Sequence, residues 1–164
     1  MGYVLRRVVL AAGAGAVGTA LVGCQGDGDD EWELDESIAV LSVTIFQGPN
    51  GECCEVYAEY LADTLETDVE TVVSEDLGAI KPEYGIDATL QSCHTVELDT
   101  YVVEGHIPAE VIATLVEEEP GITGIPLPGM PAGTPGMGGT KSETWTVYEI
   151  DGAHDDEHAV YTEL

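Results

Sequence analysis

Between Ile38 and Val116 apolar residues recur at two different spacings, and each change of spacing marks an element. Ile38 to Phe46 is dense in Val, Ile and Leu with Ser42 and Thr44 interleaved, the pattern of a buried or half-buried strand. Gln47-Gly48-Pro49-Asn50-Gly51 is a run of turn formers. Cys53 and Cys54 then head a helical pattern in which Val56, Tyr57, Tyr60, Leu61 and Leu65 share one face, with Glu and Asp between them. Thr67 to Ser74 reads as a second strand, and Asp76 to Tyr84 as a short helix weakened by Pro82. Thr95–Leu98 and Tyr101–Glu104 read as two strands joined at Asp99-Thr100 in a hairpin. Pro108 opens a helix whose apolar residues are Val111, Ile112, Leu115 and Val116; proline suits the first helical position, where its missing N–H has no partner in any case.

The order strand, helix, strand, helix, strand, strand, helix predicts an α/β fold, a thioredoxin-like mixed sheet with flanking helices. The cysteine pair falls at the junction of first strand and first helix, where such folds place their thiols. The segment from Gly121 to Gly139 carries Pro126, Pro128, Pro131 and Pro135 and many glycines without a charge, which excludes regular helix. Beyond this Pro/Gly/Met-containing segment, Thr144–Ile150 and Ala159–Thr162 predict a C-terminal β-hairpin, with Asp151 to His158 as its connection.

The N-terminus has a different pattern. Arg6 and Arg7 precede an uncharged apolar run from Val8 to Val22, and Leu21-Val22-Gly23-Cys24 matches a lipobox. Residues 1–24 therefore read as a signal peptide with Cys24 as the lipidated residue, and residues 25–37 as an acidic tether kept extended by self-repulsion. Residues 38–164 form the domain. The paired arginines resemble a twin-arginine signal, although Leu5 stands where that motif prefers Ser or Thr. The alternative is a transmembrane helix with an incidental Cys24, but the uncharged stretch is only marginally long enough to span and is rich in Gly and Ala. The expected location is the outer face of the cell membrane, with the lipid as anchor.

Charge then narrows the partners. The chain has 32 acidic residues against 4 basic ones, and loss of residues 1–24 removes two of the basic residues and no acid. A surface this negative repels phosphates, so nucleic acid is not an expected partner. It also opposes compaction unless salt screens it, which points to a halophilic, salt-adapted protein.

With Cys24 consumed by lipid, Cys53, Cys54 and Cys93 remain, an odd number for an exported protein. One reading is structural: Cys93 bridges to one of the pair and the third thiol is buried. The other is a soft-metal site. His94 follows Cys93, His106 lies just past the hairpin, and Met130 and Met137 occupy the related phrases Pro128-Gly129-Met130-Pro131 and Pro135-Gly136-Met137-Gly138, which no periodicity explains. Thiolates and thioethers favour Cu(I), while imidazole accepts copper or zinc. His154 and His158 sit in Asp-rich surroundings and read as solvated.

These phrases also carry a resemblance. Pro49 to Cys54, Ser92-Cys93-His94-Thr95, Tyr101 through Ala109 and Leu127 through Met137 resemble the CopG-like predicted metal-binding family, domain of unknown function family 411, found beside copper-resistance genes. The resemblance runs from about Val40 to Met137 and implies a thioredoxin-like metal protein of an exported compartment. It carries over Cys53, Cys54 and Cys93 as thiol positions and His94, His106, Met130 and Met137 as motif positions. The chain departs from the family at Gly51-Glu52-Cys53-Cys54, where the family reads Cys-Gly-Cys-Cys. The first cysteine is missing, which counts against a redox mechanism that needs it.

The sequence therefore predicts an exported copper-binding lipoprotein that holds Cu(I) through Cys53, Cys54 and Cys93 for tolerance or for delivery to a copper-handling protein. His94 or His106 completes or tunes the site, and Met130 and Met137 form an auxiliary site. Two rivals remain: a thiol oxidoreductase that reduces Cu(II), and a structural surface domain with a disulfide.

Overall fold

A computed structural model of the protein describes residues 34–151 and 158–164. The signal peptide and its lipobox, Cys24, residues 25–33 of the tether and His154 lie outside the described residues.

The chain folds as a mixed α/β domain. Strand β1 (Val43–Gln47) leads into helix α1 (Glu52–Thr64), which returns the chain to β2 (Val69–Val73). Then come α2 (Leu77–Ile80), a 3-10 turn (Lys81–Tyr84), β3 (His94–Leu98), β4 (Tyr101–Glu104), α3 (Ala109–Glu118), β5 (Gly124–Pro126), β6 (Thr146–Tyr148) and β7 (Val160–Glu163). Five strands form one sheet in the order β2-β1-β3-β4-β5, and β6 and β7 pair separately. β1 runs parallel to β2 and antiparallel to β3; β3 and β4 form the expected antiparallel hairpin; β5 lies parallel to β4.

Alternation along the strands gives the sheet two covered faces. Val43, Ile45, Val96, Leu98 and Val103 pack with Tyr57 and Leu61 of α1 and Ile112 and Leu115 of α3 in the main core. Val102, on the opposite face of β4 from Val103, packs with Ile86, Leu90 and Ile150 in a smaller cluster. Truncating a fully buried leucine such as Leu61 to alanine costs roughly 2–5 kcal/mol at sites of this kind.

Several boundaries differ from the sequence expectation. The first strand begins at Val43 instead of Ile38: Leu41 is 91% exposed, and the amides of Leu41 and Ser42 both donate to Asp99 Oδ1. The same strand continues through Gln47, which the turn formers behind it masked. Pro82 does not end the second helical segment but changes it from α to 3-10. Pro108 caps α3 in an extended conformation one residue ahead of its first turn. The short strand β5 inside the Pro/Gly segment was not anticipated; three residues with a proline carry too little pattern to show.

Candidate metal centre

Four potential ligands meet at one end of the sheet. The β3–β4 register pairs Thr95 with Glu104, so residues 93–94 and residue 106 leave the hairpin at the same end. β1 enters that end as well, because Gln47 pairs with His94, and the short turn after it starts α1 there. Cys54, in the first turn of α1, thus meets Cys93, His94 and His106, and their ligand atoms all lie within 4.8 Å of one another. Cys54, His94 and His106 are buried and Cys93 is half-buried. Gly105 makes the bend between β4 and His106 with φ +86°, and a Cβ there would lie 2.6 Å from the Leu127 carbonyl oxygen. Only glycine fits this position.

The hydrogen bonds fix the imidazole tautomers. His94 Nε2 lies 3.1 Å from the Gly105 carbonyl, and His106 Nδ1 lies 2.7 Å from the Pro135 carbonyl. A carbonyl only accepts, so each of these nitrogens carries the proton. The other nitrogens are therefore bare whenever the rings are neutral, and both face one atom: Cys93 Sγ is 3.3 Å from His94 Nδ1 and 3.1 Å from His106 Nε2. An imidazole whose N–H is held by a backbone carbonyl while its free lone pair faces a thiol is arranged as metal ligands are. Tyr57 forms the wall behind both rings. It stacks on His94 with centroids 4.7 Å apart, meets His106 edge-on at 5.1 Å, and donates its hydroxyl to the Ile107 carbonyl at 2.8 Å.

The two sulfurs divide one proton unequally. Cys93 is pulled far below the usual thiol range, first by a hydrogen bond from Cys54 and then, against the effect of burial, by His106 and His94. Cys54 is pushed far above it by that same hydrogen bond, by burial and by the neighbouring sulfur charge. His94 is held below its ordinary value, chiefly by burial. The ligand-free centre thus pairs a sulfur that gives up its proton readily, Cys93, with one that holds it, Cys54, beside a His94 whose burial disfavours the cation.

The other predicted residues stand apart from these four. Cys53 is half-buried in the same helical turn and is not among the converging donors. Met130 is exposed and Met137 half-buried. The loop bearing Met137 passes close to α1: a Cβ on Gly136 would lie 3.0 Å from the Tyr57 amide nitrogen and 3.1 Å from the Cys53 carbonyl oxygen. Among the described residues no disulfide joins Cys53, Cys54 or Cys93, so the bridge of the structural reading is not formed. His158, expected to be solvated, is only partly so: Nε2 is 3.2 Å from Thr89 Oγ1 and 3.8 Å from Asp87 Oδ1.

Sequence reasoning missed the polar support of the centre. Lys81 and Glu104 form a buried ion pair on the far side of the Cys93–His94 segment. Lys81 is one of two lysines in the chain, but its place in a weak helical pattern gave no sign of burial.

The family model described as a protein of unknown function, DUF411, matches residues 90–137, a stretch that includes Cys93, His94 and His106. Two solved structures, named "Copper resistance protein copG- Form 1" and "Copper resistance protein copG- Form 2", are each 30% identical over 79% of this chain, with TM-scores of 0.65. The match covers 98% of the first and 99% of the second. The chain belongs to the CopG-like DUF411 family. No curated protein matches it. The CopG-like relatives span the domain and leave a fifth of this chain unmatched, and the four converging donors include three from the stretch that the family model covers.

Proposed function

We propose that this CopG-like domain binds copper as Cu(I) through the thiolates of Cys54 and Cys93, with His94 Nδ1 and His106 Nε2 completing the donor set. The observation that carries the reading is the pair of bare ring nitrogens facing one sulfur, each ring held from behind by a carbonyl. Two sulfurs and two imidazoles also suit zinc. Copper is favoured by the names of the two solved relatives and by the preference of thiolates for Cu(I). Cys53, one residue from Cys54, is the reserve sulfur; Met130 and Met137 form the auxiliary site. The fold reading that accompanies this is thioredoxin-like, supported by the strand order β2-β1-β3-β4 with β1 parallel to β2 and both neighbouring pairs antiparallel.

The decisive experiment is an anaerobic Cu(I) competition titration, repeated with excess zinc. Cys54→Ser and Cys93→Ser should each weaken Cu(I) binding by orders of magnitude, Cys53→Ser should weaken it less, and Met130→Leu less again. Zinc that displaces Cu(I) would make the centre a zinc site; thiol variants that bind like the parent would remove the cysteines as ligands.

A second reading rests on the proximity of the two thiols. Cys54 and Cys93 are close enough to be oxidised together: as the disulfide forms they give up two electrons, which reduce two Cu(II) to Cu(I), and the one proton still held by Cys54 goes to solvent. Mass spectrometry after Cu(II) addition separates the two: a Cys54–Cys93 disulfide in proportion to Cu(I) formed supports the reducing activity.

The proposal extends to location. Cys24 is the lipid attachment, and the domain holds copper at the outer face of the membrane for tolerance or for transfer to a copper-handling protein. In cells, Cys24→Ser should release the protein from membranes, since the acyl chains supply the attachment; unchanged membrane retention would point to a spanning segment instead.

A further inference from the structure

Among the described residues, a buried polar network outside the four donors lies against the segment that carries two of them. Glu104 is fully buried, and its carboxylate accepts from three different groups. Oε1 takes the Ser92 amide and the Lys81 ammonium; Oε2 takes the Thr95 hydroxyl at 2.6 Å. Lys81, itself buried, also donates to Thr95 Oγ1 at 3.0 Å. Ser92 and Thr95 are the residues that bracket Cys93 and His94, so one carboxylate grips the chain on both sides of the two ligands. Glu104 ties in the opposing segment as well. Its backbone carbonyl accepts from the Leu127 amide at 2.9 Å, and the next residue, Gly105, supplies the carbonyl that fixes the His94 tautomer before the chain reaches His106.

Stability alone does not account for this arrangement. Burying a carboxylate and an ammonium carries a desolvation cost that a well-packed apolar pair avoids. What an apolar pair cannot supply is direction: hydrogen bonds to named atoms on either side of Cys93. We propose that Glu104, oriented by Lys81, is a positioning residue of the metal centre, holding Ser92 and Thr95 so that Cys93 Sγ stays in line with both bare ring nitrogens. The inference rests on the metal-binding reading for its purpose, and on these hydrogen bonds alone for its geometry.

The test uses Glu104→Gln, the apolar double variant Lys81→Met/Glu104→Leu, and Thr95→Val, which removes one grip and leaves the ion pair. Thermal melts establish that each variant is folded, and Thr95→Val keeps the proposal open to refutation if removal of the carboxylate prevents folding. Three readouts follow: Cu(I) affinity, the sulfur-to-metal charge-transfer bands of the Co(II)-loaded protein, and the alkylation rate of Cys93 relative to Cys53 without metal. Folded variants should bind Cu(I) about 10- to 100-fold more weakly, as loss of outer-shell partners does elsewhere. They should also show altered Co(II) bands and a Cys93 alkylation rate changed severalfold, with Thr95→Val moving in the same direction by less. A folded variant that matches the parent in all three overturns the proposal, and the ion pair is then only structural. If the parent takes up neither Cu(I) nor Co(II) while Cys93 alkylation still changes in the variants, the metal reading falls and the positioning role stands.

Discussion

The asymmetry between the two sulfurs sets how the centre should respond to pH. Cys93 is already a thiolate near neutrality, and His94, depressed by burial, is already neutral. Cys54, pushed upward, still holds its proton. Coordination of both sulfurs must therefore release one proton, the one on Cys54, and acid must compete with the metal for that site. Cu(I) affinity should rise about tenfold per pH unit across the neutral range, and fall by the same factor as pH drops. Two ordinary thiols would give twice that slope, and Cys54→Ser should flatten it. Competition titrations at several pH values measure this directly, and a slope of two protons would show that Cys93 is not a preformed thiolate. That cysteine and histidine side chains would converge was legible in the sequence, because soft donors are scarce in it. Which of Cys53 and Cys54 faces inward was not. Neighbours on a helix point about 100° apart, and only the docking of Tyr57 and Leu61 on the sheet decides that Cys54 is the buried one. The partners that settle the tautomers, the carbonyls of Gly105 and Pro135, are backbone atoms, which carry no sequence signature.

Among the elements, the ones carrying strong periodicity were read correctly in kind: β1, α1, β2, the β3–β4 hairpin, α3 and the pairing of β6 with β7. The three-residue strand β5 was not, and it is one of the pieces that hold the centre together. β5 lies beside β4, and Leu127, directly after it, bonds to Glu104 and leaves its own carbonyl against Gly105. The bend at Gly105 therefore joins three elements: β4, the exit of β5 and the ligand His106. Gly105→Ala would force a left-handed conformation on a residue with a Cβ and drive that Cβ into the Leu127 carbonyl. The expected loss is about 3 kcal/mol, combining backbone strain with displacement of a packed strand. A denaturant titration should show it as a lowered midpoint at unchanged slope, and whatever remains folded should bind Cu(I) poorly, since His106 leaves its place. A variant as stable as the parent would mean that the β4–β5 region yields easily and that the bend is not a fixed part of the centre.

Over the whole molecule the dominant feature is unbalanced charge, and it bears on whether the centre exists at a given salt concentration. The chain has 32 acids, and beyond residue 24 the only basic residues besides histidine are Lys81 and Lys141. Lys81 is committed to Glu104 inside the protein, and Lys141 lies over the Trp145 ring at 4.8 Å. Two lysines are far too few to neutralise the acids, among which Glu55, Glu59 and Asp63 follow one another along the exposed face of α1. In dilute buffer these charges interact over a Debye length of about 30 Å at 0.01 M, comparable to the width of the domain; at 1 M the length is about 3 Å and little beyond contact neighbours remains. The folded state holds the charges closer together than the unfolded chain does, so screening favours folding. The buried Lys81–Glu104 pair is shielded from the ions and should not weaken in step. Melting in increasing NaCl should therefore raise the midpoint steeply at first and then level off as the surface term is exhausted. Lys81→Met/Glu104→Leu should show the same salt dependence as the parent, because the pair it removes is not part of the surface field. A midpoint that barely moves between dilute and molar salt would mean that the acids are already too well separated to matter, and the salt-adapted reading of the sequence would fail with it.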